Sequence, residues 1–315
     1  MKYWVSLFLP ATLALAQSAV TVYTTDLSGH RIPDAKVTST EPGQRTFMSQ
    51  SLNGRQVPLQ ATEARVLSES PAGRVTETIT RRYDADGKLV ETERVVAEEQ
   101  KGAGGQSSIK ATVYRSDLHG RMIEAERRAI ETVTQGSTTV SDVVVNRPTL
   151  NGTFEATEKR KVTTVTEGSV TRETDALALK TPGGQFTERA REIRETDTAG
   201  GLTKTNVANY ELNFTGRMEM MRQQAGTTTK AADGSEITEV NLYAVAPYGI
   251  TRDERNEGQK LKEQQIIVRT PGLGGTVLES TSVRRPTLAD QSKLGAPVKI
   301  SETVCTGKCD APPAR

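Results

Sequence analysis

The chain has 315 residues, of which 35% are hydrophobic and only 4% aromatic, and its 41 Lys and Arg nearly balance its 39 Asp and Glu. This length allows one large domain or two ordinary ones, and the low apolar share predicts an ordered protein with a thin core. The balanced charge argues against nucleic acid and against an anionic membrane surface as partners.

The N-terminal stretch "MKYWVSLFLPATLALAQ" is typical of a secretory signal peptide. Lys2 precedes an apolar run from Val5 to Ala16, and the small residues Ala14 and Ala16 fit the signal-peptidase pattern. We therefore expect residues 1–16 to be removed and the mature chain to be exported to the periplasm, the cell surface or the extracellular space. An uncleaved anchor or a buried N-terminal strand is the alternative. No later apolar stretch is long enough for a transmembrane helix.

Glycine recurs at a fixed spacing through the centre of the chain. From Gly104 to Gly216 a glycine follows every sixteen residues, and the segments "VYTTDLSGHRI" (22–32) and "VYRSDLHGRMI" (113–123) are two copies of one half-unit. Alternate glycines end turn-like runs such as "DADG" and "DLHG", where glycine supplies the positive backbone angle of a tight turn. These repeat-turn glycines are Gly87, Gly120, Gly152, Gly184 and Gly216.

Stretches rich in Thr, Val and Glu separate the turns and favour β-strands. The sequence therefore predicts an all-β fold, an antiparallel meander of β-hairpin repeats with a period of about 32 residues and a half-period of 16. We expect irregular β units at 17–53, the hairpin array at 54–285 and a C-terminal tail at 286–315. A helix is the alternative for "RMIEAERRAIETV" (121–133), which is rich in helix formers but has no apolar stripe.

The strands do not alternate cleanly between apolar and polar residues. From Thr153 to Thr166, charged residues occupy both faces and apolar residues gather near Gly152. A transmembrane β-barrel needs one apolar face and aromatic girdles, so the pattern argues against an outer-membrane barrel. A narrow parallel solenoid is disfavoured because it needs a continuous apolar interior. We expect an extended or curled antiparallel sheet that is wetted on both faces.

One hairpin resembles a known family. The segment "YDADGKLVETER" (Tyr83–Arg94) is similar to the YD repeat of secreted Rhs and teneurin-type proteins at Tyr83, Asp84, Gly87 and Leu89. The resemblance implies hairpin repeats that build an extended β-sheet wrapped into a shell.

Residue types that carry catalysis or bind metals are few and scattered. His30 and His119 each flank a turn glycine without a carboxylate or thiol at a fixed spacing, so we predict no catalytic residue, no metal site and no cofactor. Cys305 and Cys309 are the only cysteines, and in an exported chain they predict a local disulfide. Free thiols or an intermolecular bridge are the alternatives.

Four tyrosines share one position in the repeat. Tyr23, Tyr114, Tyr210 and Tyr243 each precede a repeat glycine by six residues, which places them at equivalent heights in a meander. They form a candidate contact row for a glycan or an extended partner chain. The alternative is that they cover a thin core.

Together these patterns predict an exported, non-enzymatic repeat protein that acts as a structural or binding surface in the cell envelope or outside the cell. Its partner is unknown, with an envelope protein or a glycan as the candidates. The alternative function is a secreted hydrolase whose carboxylates come together across strands.

Overall fold

The computed structural model describes residues 17–25, 31–40, 45–52, 55–244, 260–287 and 293–306, which form eighteen β-strands in one sheet. The first nine strands are β1 (Gln17–Thr25), β2 (Arg31–Thr40), β3 (Arg45–Leu52), β4 (Arg55–Ser70), β5 (Gly73–Tyr83), β6 (Leu89–Lys101), β7 (Gln106–Ser116), β8 (Met122–Gln135) and β9 (Thr138–Pro148). The other nine are β10 (Phe154–Glu167), β11 (Val170–Lys180), β12 (Phe186–Ala199), β13 (Leu202–Leu212), β14 (Met218–Lys230), β15 (Glu236–Ala244), β16 (Lys260–Pro271), β17 (Val277–Arg284) and β18 (Val298–Thr306).

The sheet closes on itself. Each strand pairs antiparallel with its neighbours in sequence, and β1 also pairs with β18, where Val20 lies opposite Cys305 and Tyr23 opposite Glu302. The predicted all-β antiparallel meander is confirmed. The expected extended or curled sheet is wrong, because the pairing of β1 with β18 leaves no edge and closes the sheet into a barrel. Segments 17–53 and 286–315 contribute β1 to β3 and β18 to this ring.

Four-residue turns follow β5, β7, β9, β11 and β13 at one end of the barrel, which we call the upper rim. In the turn after β5, the N–H of Gly87 donates to the carbonyl of Asp84 at 3.1 Å. The carboxylate of Asp84 accepts the N–H groups of Asp86 and Lys88 at 2.9 and 2.8 Å. Asp117 and Asn213 hold their turns in the same way. The repeat-turn glycines in these turns have φ angles of 74° at Gly87, 76° at Gly120, 77° at Gly152, 84° at Gly184 and 79° at Gly216.

Two-residue turns close several hairpins at the opposite end, the lower rim. Gly168 is the first turn residue between β10 and β11 and has a φ of 61°. A Cβ built on Gly168 would have no atom within 4 Å, so the backbone angle alone restricts this position.

We expect Gly168→Val to lower the free energy of unfolding by about 1–2 kcal/mol, because a β-branched residue is strained at positive φ. Gly168→Asn is the matched control, since asparagine tolerates the left-handed region far better. Urea denaturation of both variants measures the difference. Equal unfolding midpoints for the two would show that this turn does not constrain its backbone.

Every even-numbered strand carries one extra residue near the upper rim. Val113 pairs with Glu126 and Tyr114 with Glu124, so Ala125 has no opposite residue and forms a β-bulge. Bulges increase local twist and bend the strand, and repeated bulges allow a sheet to curve until it closes. The extra residues are Asp34, Leu59, Thr92, Ala125, Thr157, Arg189, Met221, Lys262 and Ile300.

The bulges also bring residues three positions apart onto one face of a strand. On β8, Glu124 and Arg127 share a face in this way and form an ion pair at 2.6 Å. In a regular strand these two residues would point to opposite faces. The segment 121–133, for which a helix was the alternative, forms most of strand β8.

Neighbouring hairpins are staggered along the strands. This stagger shows in which direction around the barrel the strand number increases for a viewer outside it. Met122 at the upper end of β8 pairs with Ser116, whereas Arg127, further down β8, pairs with Asn146 near the upper end of β9. Each hairpin is therefore shifted in the same direction relative to the last. Because strands in a closed sheet coil with the right-handed twist of the chain, the direction of this shift defines the inside and the outside.

Backbone hydrogen bonds assign the two faces of each strand. The N–H groups of Thr166 and Thr198 donate to the carbonyls of Ser137 and Ser169 in the preceding hairpins, at 2.9 and 3.0 Å. The chain consists of L-residues, so the direction of a residue's backbone groups fixes the direction of its side chain. In an even-numbered strand, a residue whose N–H and C=O groups bond to the preceding strand points into the lumen. A residue whose N–H and C=O groups bond to the next strand points outward. Residues opposite each other on neighbouring strands share a face.

The barrel is wide and its core is thin. With strands about 4.8 Å apart and tilted by about 40°, eighteen strands enclose a cylinder about 35 Å across between backbones. The buried apolar side chains of the described residues lie singly on both faces, with Ala61 and Ile79 pointing outward and Val113 and Val145 inward. Cohesion therefore depends on the hydrogen-bonded ladder and on cross-strand pairs.

Candidate functional site

Hydroxyl groups line the lumen near the lower rim. The hydroxyl oxygens of Thr134 and Thr139 lie 3.1 Å apart, within hydrogen-bond distance. The next two hairpins contain the equivalent pairs, Thr166 with Thr171 and Thr198 with Thr203. Thr132 with Ser141 at 2.8 Å and Thr228 with Thr238 at 2.9 Å add to the set. Each hydroxyl can donate once and accept twice, so these pairs retain free hydrogen-bonding capacity toward the lumen.

A belt of opposite charges lies above the hydroxyl pairs in the lumen. Glu126 on β8 is only 3% exposed, and its carboxylate accepts hydrogen bonds from Arg128 and, at 3.4 Å, from Arg147 on β9. Arg147 also approaches Glu158 on β10 at 3.7 Å. These four side chains form one network across three strands, and two arginines compensate the burial of the Glu126 charge.

The belt continues around the lumen. Arg160 donates to Asp175 at 2.6 Å between β10 and β11. On β12, Glu192 accepts from Arg194 at 3.0 Å and from Asn209 on β13 at 2.8 Å. Acidic and basic groups form pairs along this wall, which makes the lumen polar, and Glu173 and Glu211 add further carboxylates to its inward face.

Aromatic and large apolar side chains point outward near the upper rim. Tyr114 on β7 lies opposite Glu124, just below Met122 at the start of β8. Phe154 on β10 and Phe186 on β12 hold the same place on their strands as Met122 on β8. We call these outward residues the rim band. Its described members are Tyr23, Tyr83, Leu89, Tyr114, Met122, Phe154, Phe186, Tyr210, Met218, Met220, Tyr243 and Leu261.

Ion pairs occupy the outer wall directly below the rim band. Besides Glu124 with Arg127, Glu91 pairs with Arg94 at 2.8 Å and Glu188 with Arg191 at 2.7 Å, each across a bulge. The guanidinium of Arg127 lies 4.1 Å from the centre of the Phe154 ring, and the Lys159 ammonium lies 4.5 Å from that of Phe186. A lysine or arginine on the lipid face of a barrel costs about 2–4 kcal/mol at the bilayer midplane. The outer wall is therefore unlike the apolar band of a barrel that is immersed over its full height.

The residues singled out from the sequence are spread around this barrel. Tyr23, Tyr114, Tyr210 and Tyr243 lie on β1, β7, β13 and β15, so they belong to one face but not to adjacent strands. Cys305 lies on β18, whereas Cys309 and His30 lie outside the described residues, and the disulfide stays a prediction. His119 lies in the turn after β7.

Sequence reasoning missed the lumenal belt and the ion pairs of the outer wall. The outer-wall pairs share the spacing Glu-x-x-Arg, at 91–94, 124–127 and 188–191. This spacing is usual on helices and has meaning in a strand only once a bulge is known.

The part of the chain that the structure describes lacks two features. No helix there is long and apolar enough to cross a membrane. Within the same residues, His, Cys, Asp and Glu do not gather in threes as a metal ion would require.

No protein-family profile and no curated protein matches the sequence. Among solved structures, a triply substituted porin of Rh. blastica superposes with a TM-score of 0.53 at 6% identity, over 93% of this chain and 98% of that chain. The chain has the fold of a porin. Vibrio cholerae OmpT, an outer membrane protein, gives a TM-score of 0.48 at 7% identity, over 93% of this chain and 97% of that chain. Salmonella typhi OmpF gives 0.46 at 9% identity, over 93% of this chain and 96% of that chain. At such identities the likeness concerns the fold alone.

The resemblance to YD-repeat proteins is wrong. The segment Tyr83–Arg94 is one hairpin of a closed barrel with a porin's fold, and no family profile supports a relationship to YD-repeat proteins. The shared Asp84 and Gly87 have a local cause, since Asp84 accepts the turn's N–H groups and Gly87 adopts the positive φ. Any four-residue hairpin turn favours these residue types.

The predicted function is wrong as well. A repeat protein that offers a structural or binding surface presupposes an open array of hairpins, whereas the sheet closes and has the fold of a porin. The alternative of a hydrolase needs free carboxylates that meet across strands. In the lumen Glu126, Glu158 and Asp175 are each held by arginine.

Proposed function

We propose that the protein is a porin-like channel barrel of the cell envelope whose water-filled lumen admits small polar solutes. The observation that carries the proposal is the closure of eighteen strands around a lumen lined by hydroxyls and paired charges. Barrels of sixteen to eighteen strands are too wide for side chains to fill, so water occupies the interior.

The lining supports a class of solute. Threonine hydroxyls donate and accept, and the charged side chains beside them neutralise one another. A wall of hydroxyls and paired charges offers hydrogen bonds to uncharged or zwitterionic solutes. Small hydrophilic molecules such as sugars fit this chemistry better than strongly charged ions.

The location and the absence of catalysis are part of the same proposal. The signal-peptide pattern at 1–16 supports export, and the porin fold supports a place at the outer membrane. A passive passage needs no reacting group, which is in line with a non-enzymatic protein. An envelope protein or glycan as a partner stays a prediction.

Adjacent threonines on β10 offer a test of the lumen. Thr163 points outward and Thr164 inward, and both are half-buried. With Cys305 and Cys309 replaced by serine, Thr164→Cys and Thr163→Cys each provide a single thiol. We expect a small polar thiol reagent to label both at similar rates. A maleimide on a polymer wider than the barrel should label the inner thiol at least about tenfold more slowly, because the wall excludes it.

Two results would overturn the proposal. Equal labelling of both thiols by the wide polymer would mean that no enclosed passage exists. Failure of the small reagent to reach Thr164→Cys in a folded protein would mean that the lumen is filled.

A further inference from the structure

The geometry points to a barrel that sits on a phospholipid bilayer by its upper rim, with the rim band in the membrane interface and the ion-paired wall in water. This inference goes beyond the proposed passage, since it states how the outer surface meets a membrane. It rests on the proposed envelope location but not on the state of the lumen.

The rim band extends to several sides of the barrel. Its members occur on β1, on the strands from β5 to β8, on β10, and on the strands from β12 to β16, all outward and all near the upper rim. A glycan or a partner chain would contact one side of the cylinder. Only a medium that surrounds the rim can cover residues on all these sides at once, and a bilayer is such a medium.

The residue types of the rim band suit a membrane interface. It combines tyrosine with phenylalanine, leucine and methionine, so each ring can bury its apolar body while a tyrosine hydroxyl reaches water or headgroups. Arg127 and Lys159 lie against the rings of Phe154 and Phe186, and their long side chains can extend toward lipid phosphates.

The ion pairs of the outer wall limit how deeply the barrel can enter the bilayer. The pairs Glu91 with Arg94, Glu124 with Arg127 and Glu188 with Arg191 begin within a few residues of the band. Hydrocarbon would strip these charges of water, so the bilayer surface must lie near the band and cannot extend down the wall.

The lower rim is the competing surface. Val133 and Val165 point outward there together with Phe47 on β3, but Asp197 and Lys204 share the same wall, and Phe47 is the single aromatic residue that the structure describes at this rim. Aliphatic side chains without aromatic neighbours lack the amphipathic rings that anchor a protein at an interface.

Tryptophan fluorescence can locate the contact, because the one native tryptophan, Trp4, lies in the predicted signal peptide. The mature chain carries Tyr114→Trp or Tyr210→Trp at the upper rim, Ala129→Trp on the outer wall, or Val133→Trp at the lower rim. Each variant is mixed with vesicles of phosphatidylcholine and phosphatidylglycerol whose acyl chains are brominated close to the headgroup. We expect bromine to quench the two rim tryptophans at least twofold and to leave Ala129→Trp and Val133→Trp unchanged.

Three outcomes decide the matter against the inference. Quenching at all four positions means that the barrel spans the bilayer, quenching at Val133→Trp alone means that the lower rim is the contact, and no quenching means that neither rim binds lipid. Loss of vesicle binding in Phe154→Ser/Phe186→Ser, with binding kept in Val133→Ser/Val165→Ser, supports the upper rim. The thiol experiment on the lumen needs no vesicles, so its failure and the failure of this inference are distinguishable.

Discussion

Removing the thirty-two residues from Gly120 to Asn151 is expected to leave a folded barrel of sixteen strands, whereas removing only Gly120 to Gln135 is expected to abolish folding. The longer deletion takes out β8 and β9 and joins His119 to Gly152. Strand β10 then follows β7 through an equivalent turn, and its bulge at Thr157 replaces the bulge at Ala125.

The shorter deletion removes β8 alone. Strand β9 would then follow β7 after a short turn, although both run in the same direction. Parallel strands need a crossover of a dozen or more residues, so a tight turn cannot join them. Circular dichroism and hydrogen exchange of both proteins measure the outcome. A folded protein from the shorter deletion, or an unfolded one from the longer, would contradict the equivalence of the hairpins.

A proline at position 304 is expected to destabilise the whole barrel, because Val304 belongs to the seam between β18 and β1. Val304 lies opposite Thr21 and points outward, so its N–H is among those directed to β1. Val304→Pro removes that hydrogen bond and leaves a carbonyl on β1 without its donor. The cost is on the order of 2–3 kcal/mol or more.

Thr303→Pro is the matched control at the seam. The N–H of Thr303 is directed to β17, so this variant breaks a ladder whether or not the sheet closes. Proline is tolerated where an N–H faces solvent at an edge strand. Closure therefore predicts similar destabilisation by both prolines, with faster hydrogen exchange in β1. An open sheet predicts that Val304→Pro is nearly neutral, and such a result in thermal unfolding would show that β1 and β18 are free edges.

The strands and turns could be predicted because their causes are local. Asp84 and Gly87 define a turn within four residues, and β-branched residues mark the strands on either side. Closure has no local cause. The pairing of Val20 with Cys305 joins the two ends of the sheet, and no short window of sequence contains both residues.

The extended or curled sheet was predicted wrongly for a physical reason. The sequence lacks one apolar face along each strand, but such a face is a requirement of lipid contact and not of closure. Closure depends on strand number, stagger and bulges, and the pairing of Glu124 with Arg127 three residues on marks a bulge that no local pattern identified from the sequence. The charged wall that motivated the prediction is real, since the structure places ion pairs on it.

The bulge that every even-numbered strand carries has a consequence for the evolution of the protein. Since each hairpin brings its own bend, duplication or loss of one unit in the gene changes the circumference without requiring new curvature elsewhere. Two strands about 4.8 Å apart at a tilt of about 40° change the diameter by about 4 Å. The diameter of such a barrel can therefore change in evolution only in discrete steps, each of which adds or removes one hairpin.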